Sequence, residues 1–153
     1  MRAAEPYRAG VIVNDRVDLA VMSRAAGVHV GQDDLAPAAA RELMGDAAIV
    51  GYSTHTSAQI EAALTQPISY VAVGPIFGTA TKDTGYTAVG LELVRSAAAL
   101  ARGLPVVAIG GITLETAPAV LEAGAAGVAV ISDLLTGGDP RGRIAAYVRT
   151  LGL

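Results

Sequence analysis

The chain has 153 residues, 52% of them hydrophobic and 16% charged, with a formal net charge of −3. That length and apolar share fit one domain, residues 1–153, with a sizeable core, and they exclude a disordered chain. The slight negative charge, with no run of like charges, excludes a general nucleic-acid surface, because affinity for a phosphate backbone needs a basic face. Cysteine is absent, which removes disulfides and thiolate chemistry and fits a reducing cytoplasm. The stretch "MRAAEPYRAG" has no apolar core of a signal peptide, and no apolar run approaches the ~20 residues that span a bilayer. The expectation is a cytoplasmic protein with no membrane segment.

In chain order, the first strand is expected in "GVIVN" (Gly10–Asn14) and the second in "GVHVG" (Gly27–Gly31). A helix follows over "PAAARELMG", with Pro37 suited to its first turn and Gly45 to its stop. The third strand lies in "AAIVGYS" (Ala47–Ser53). Thr56 and Gln59 have capping-box spacing ahead of the helix "IEAALTQ". The fourth strand is "YVAVG" (Tyr70–Gly74), and a connection over Pro75–Gly90 leads to a helix near Leu91–Ala101. That connection is too long for an ordinary strand-to-helix loop, so a functional loop is expected. "PVVAIGG" (Pro105–Gly111) is the fifth strand. Thr113 is placed to cap "LETAPAVLEAG", which ends at Gly124 and holds Pro118 in its interior. "GVAVIS" (Gly127–Ser132) is the sixth strand, and the last helix runs from Pro140 through "RGRIAAYVRT".

Near-continuous apolar strands of this kind belong to a buried parallel sheet. Strand and helix alternate about six times, with ~20–35 residues per unit. An open doubly wound sheet and an incomplete eightfold barrel both have this alternation. The weak repeat of "AGVHVG" in "AGAAGVAVIS" favours the barrel.

Ligands of parallel α/β folds bind where the strands end, and polarity gathers there. Asn14 and Asp15 follow the first strand, and Gln32, Asp33 and Asp34 the second. Ser53, Thr54 and His55 close the third, and Thr79, Thr81 and Lys82 follow the fourth. Gly110–Gly111 and Ser132–Asp133 end the last two. Asp15 and Asp34 leave neighbouring strands, so their carboxylates are candidates for one magnesium ion, which takes one or two carboxylates and completes its shell with water and phosphate. Serving as helix N-caps is the alternative. Gly110–Gly111 with Ser132 is a candidate phosphate cradle, or a tight turn needing positive φ. Lys82 is the only lysine beside ten arginines. Behind two threonines on a long loop, its ammonium suits a phosphate or diphosphate.

"VIVNDR", "GVHVGQDDL", "GYSTHT", "GPIFGTATK", "VAIGGI" and "GVAVIS" together resemble thiamine-phosphate synthase, in order and spacing, from about Ala9 onward. The resemblance implies a TIM (β/α)8-barrel family member. It also implies a transferase that joins hydroxymethylpyrimidine diphosphate to a thiazole phosphate, with magnesium, and releases pyrophosphate. Carried over, it gives Asn14 to the pyrimidine diphosphate and Asp15 with Asp34 to magnesium. Ser53 and Lys82 fall to the pyrophosphate as the catalytic pair. Thr79, Ala80 and Thr81, with Gly111, Ile131 and Ser132, fall to the thiazole phosphate.

The family has two further strands ahead of the one matching "GVIVN", the second carrying an Arg and a Lys for the pyrophosphate. The chain is therefore expected to form an incomplete barrel of about six units, with open edges that favour self-association. Gly78 stands where the family commonly has proline. Two alternatives are a thiazole tautomerase of the same superfamily, with His55 as proton carrier, and an inactive phosphate-binding fragment. In the synthase reading His55 bonds within its loop, and His29 is a satisfied core histidine.

Overall fold

The computed structural model describes residues 3–7, 9–78 and 85–152. After a short 3-10 turn at Glu5–Tyr7 the elements are β1 (Ile12–Asn14), α1 (Val17–Ser23), β2 (Gly27–Val30), α2 (Pro37–Met44) and β3 (Ile49–Thr54). Then come α3 (Ser57–Ala63), β4 (Tyr70–Val73), α4 (Gly90–Leu100), β5 (Val106–Ile109), α5 (Ala117–Glu122) and β6 (Gly127–Ala129). A 3-10 segment at Ser132–Gly138 precedes α6 (Pro140–Leu151). The strands form one sheet in the order β1-β2-β3-β4-β5-β6. A doubly wound sheet reverses its order at a switch point, and this sheet does not. The sequential order is that of the barrel family.

The chain falls into two compact units, Met1–Thr54 with Ala58–Ala72, and His55–Ser57 with Val73–Leu153. In the first, β1 pairs with β2 and β2 with β3, both in parallel, and Asn14, His29 and Gly51 stand in one cross-strand row. Side chains alternate along a strand, so Val28, Val30 and Val50 project to the opposite face. All three are fully buried in a cluster with Val17 and Ala20 of α1 and Ala40 of α2. The sheet therefore has an apolar face against helices and a second face bearing Asn14, His29 and Ser53.

Helix α2 begins with Pro37 in its first turn and stops at Gly45, which has φ 83° and returns its N–H to the Arg41 carbonyl. Arg41 itself ties down two loops. Its guanidinium donates to the carbonyls of Gly45, Asp46, Ala48 and Pro67 and to Ser69 Oγ. A planar fork with five donors satisfies several carbonyls at once, as a lysine ammonium would not.

In the second unit β5 pairs in parallel with β6. Two expectations are corrected here. Helix α5 starts at Ala117 rather than Leu114, so Pro118 lies in its first turn, where a missing N–H costs no helical bond. Ahead of it, Thr116 Oγ1 accepts from the Thr113 N–H at 2.9 Å, and the Thr116 N–H reaches back to the Thr113 carbonyl. The sixth strand ends at Ala129, and Ser132 opens the 3-10 segment instead of closing the strand. No helix among the described residues is long and apolar enough to cross a membrane.

Ile60 on α3 is fully buried. Truncating such a side chain removes its transfer energy and leaves a cavity, so Ile60→Ala should lower unfolding stability by about 2–5 kcal/mol. Urea denaturation followed by circular dichroism checks this.

Candidate functional site

In the first unit the polar residues gather at the carboxyl ends of three strands. Asn14 is exposed at the end of β1. Asp15 follows with φ 62°, a region few residues other than glycine adopt. Its N–H donates to the His29 carbonyl at 2.7 Å, which anchors the turn to β2. On the loop after β2, Asp34 Oδ2 accepts from the Gly31 N–H at 2.7 Å. One carboxylate oxygen thus holds the loop after β2. Gln32 Nε2 donates to the Ser53 carbonyl at 2.6 Å, tying this loop to the end of β3. Ser53 Oγ lies 2.8 Å from His29 Nε2. Asn14, Asp15 and Ser53 thus stand at the ends of adjoining strands, with Asp34 on the loop that follows β2. Two hard carboxylates on such ends have the chemistry magnesium prefers.

His29 is satisfied, as the sequence suggests, but it is more than a core residue. Its Nδ1 meets the Tyr70 hydroxyl at 2.9 Å, while Nε2 meets Ser53. Sequence reasoning assigned no role to Tyr70. The signal that could have found it is a tyrosine in a strand otherwise made of small and branched apolar residues.

In the second unit, Gly110 and Gly111 follow β5 with φ 97° and 65°. A Cβ on Gly110 would lie 2.6 Å from Pro75 Cα, and one on Gly111 2.5 Å from the Gly78 carbonyl oxygen. Both positions require glycine, for conformation and for space. The long connection is clamped at both ends. Phe77 N–H donates to the Gly110 carbonyl at 3.0 Å, and Gly90 N–H donates to that of Ile76 at 3.0 Å. Thr79, Ala80, Thr81 and Lys82 lie outside the described residues. Ile131 and Ser132 are exposed just after β6.

Asp133, expected on a polar rim, is instead buried. It takes a two-pronged contact from Arg143, at 3.0 and 2.9 Å, and one from the Tyr147 hydroxyl at 2.6 Å. It also accepts the Leu114 N–H at 3.2 Å. This carboxylate joins the segment after β5 to the segment after β6, which carry Gly111 and Ser132. Hydrogen bonds from Arg143 hold the Asp133 carboxyl below its ordinary range, against the effect of burial. Burial pushes the Tyr147 hydroxyl up, and the adjacent Asp133 adds to this. His55 Nδ1 lies 2.6 Å from the Gly74 carbonyl oxygen, and its ring stacks on Tyr86 at 3.9 Å.

The family model described as thiamine monophosphate synthase matches residues 1–134. The chain belongs to the thiamine-phosphate synthase family. It is 44% identical over 151 residues to the thiamine-phosphate synthase of Koribacter versatilis, covering 99% of this chain and 70% of that protein. The corresponding enzyme of Synechococcus sp. (strain WH7803) is 50% identical over 134 residues, covering 88% of this chain and 37% of its own length. Among solved structures, thiamine phosphate pyrophosphorylase from Pyrococcus furiosus superposes with a TM-score of 0.89 at 30% identity. That match covers 99% of this chain and 71% of the other. All three carry synthase or pyrophosphorylase names, so the tautomerase alternative is not favoured.

The Asp133 network gives a pH prediction. A carboxyl whose folded pKa lies below its unfolded value of ~3.9 stabilises the fold above that value, and the contribution is lost as pH falls through the folded value. Asp133→Asn should therefore lower the melting temperature at neutral pH, and the gap to wild type should close below about pH 4. Thermal melts across a pH series measure it.

Proposed function

We propose that this chain carries the thiamine-phosphate synthase reaction, coupling hydroxymethylpyrimidine diphosphate with a thiazole phosphate to give thiamine phosphate and pyrophosphate. The observation that carries the reading is the family match over residues 1–134. The strand-end cluster of Asn14, Asp15, Asp34 and Ser53 supports it, through a hydroxyl and two carboxylates suited to a metal-bound diphosphate.

In this reading the bond between the pyrimidine methylene carbon and the diphosphate oxygen breaks, with the electron pair leaving on oxygen. The electron-rich pyrimidine spreads the positive charge left behind, and the lone pair of the thiazole nitrogen forms the new C–N bond. No proton has to be removed from that nitrogen, so the protein supplies position and charge rather than a base. Asn14 and Ser53 orient the diphosphate substrate. Lys82 offsets charge on the departing pyrophosphate as a compact ammonium. Thr79, Ala80, Thr81, Gly111, Ile131 and Ser132 hold the thiazole phosphate, with backbone N–H groups and hydroxyls as donors. Asp15 and Asp34 would hold magnesium, which supplies electrostatic stabilisation of the diphosphate oxygens.

The purified chain, given both substrates and magnesium, should form thiamine phosphate. Lys82→Ala should reduce kcat by about 100-fold or more, the scale of losing one preorganised charge-stabilising donor, and a chelator should abolish turnover. Binding of the thiazole phosphate without turnover would instead favour a phosphate-binding fragment.

A further inference from the structure

The first unit carries a chain of three side chains whose hydrogen-bond direction can be worked out. Tyr70 Oη, His29 Nδ1, His29 Nε2 and Ser53 Oγ follow one another at 2.9 and 2.8 Å across the ring. The contact is built in. A Cβ on Gly51 would lie 2.1 Å from Tyr70 Cζ and 2.3 Å from its hydroxyl, so the tyrosine crosses the sheet over a position without a side chain. Gly51 is the register partner of His29, and Ser53 lies two residues further along the same strand. Alternation puts all three on one face.

A neutral imidazole donates from one nitrogen and accepts at the other. Two directions are possible along this chain. If Nδ1–H donated to Tyr70, the phenol proton would have only solvent to accept it, since His29 is the only hydrogen-bond partner of that part-buried hydroxyl among the described residues. A phenol is a better donor than acceptor. Burial raises the Tyr70 pKa further, so the proton stays on oxygen at neutral pH. The consistent direction is Tyr70 Oη–H to Nδ1, then Nε2–H to Ser53 Oγ. Ser53 then accepts from His29, and its own proton is left to be given away.

We infer that Tyr70 and His29 are positioning residues that set the polarity of Ser53, making its hydroxyl a hydrogen-bond donor to an acceptor atom of the bound substrate. The inference rests on the synthase reading for the identity of that substrate, but not for the direction of the chain. Neither positioning residue is required to touch the ligand. They choose which of the two roles of a serine hydroxyl is presented to it.

The test labels histidine with nitrogen-15 and records long-range proton–nitrogen correlations at a pH well above the ordinary histidine value of ~6.5. The chain has two histidines, and a His55→Gln variant assigns the signals. His29 should carry its proton on Nε2, with Nδ1 shifted as a hydrogen-bonded acceptor. In Tyr70→Phe, Nδ1 should move toward the position of an unbonded nitrogen while the circular dichroism spectrum stays unchanged. In the coupling assay, Tyr70→Phe should lower kcat/KM about fivefold to tenfold, the scale of one hydrogen bond. In a Ser53→Ala background the same change should cost less than twofold, because the two act through one contact. A proton on Nδ1 in the wild type, or an Nδ1 signal indifferent to Tyr70→Phe, would overturn the inference. So would an equal cost of Tyr70→Phe with and without Ser53. If the wild-type chain forms no thiamine phosphate, the synthase reading fails, and the nitrogen spectra alone decide the direction of the chain.

Discussion

The level register of β1, β2 and β3 is the constraint from which the first unit's chemistry follows. Parallel pairing sets Asn14, His29 and Gly51 in one row. A shift of one residue in any strand would turn its side chains to the opposite face. His29 would then enter the apolar layer, and a valine would take its place among the polar groups. Val28, Val30 and Val50 resist that slip, because each is fully buried against α1 and α2. Burial on one face therefore holds the register on which the polar face depends.

The second unit solves a different problem by different means. Its candidate phosphate cradle is made of backbone, so what must be held is chain conformation. Gly110 and Gly111 sit at positive φ, pressed against Pro75 and Gly78, where a side chain of any size would collide. Asp133 then fixes the two segments bearing Gly111 and Ser132 to each other through Leu114, Arg143 and Tyr147. A buried carboxylate is costly unless its lone pairs are met. Here a guanidinium, a phenol and a backbone N–H meet them.

Both arrangements suit a reaction whose demands are position and charge. Asp15 adopts a backbone conformation that non-glycine residues seldom take, held by its N–H to the His29 carbonyl. Such conformations persist where the surroundings over-determine them. The same β2 residue thus anchors Asp15 through its backbone and Ser53 through its ring. A histidine in the middle of an apolar strand becomes the point at which three strand ends are coordinated.

The six strands, their alternation with helices, the glycine and proline that bound α2, and the polar residues at strand ends are all legible in the sequence. These are readable because hydrophobic period and local backbone chemistry act within a few residues. It also carried the family, because six separated blocks occur in order. Helix α5 starts three residues later, and β6 ends three residues earlier, than the pattern predicts, where a threonine pair and a 3-10 segment compete with regular structure. The choice between a doubly wound sheet and a barrel order needed the strand neighbours, which periodicity does not encode. Only the tertiary structure turned Asp133 from a rim residue into a buried clasp, and only it joined Tyr70 to Ser53 through His29. Those contacts span 10 to 41 positions in the chain, and no local pattern specifies which distant side chain will fill the space above a glycine.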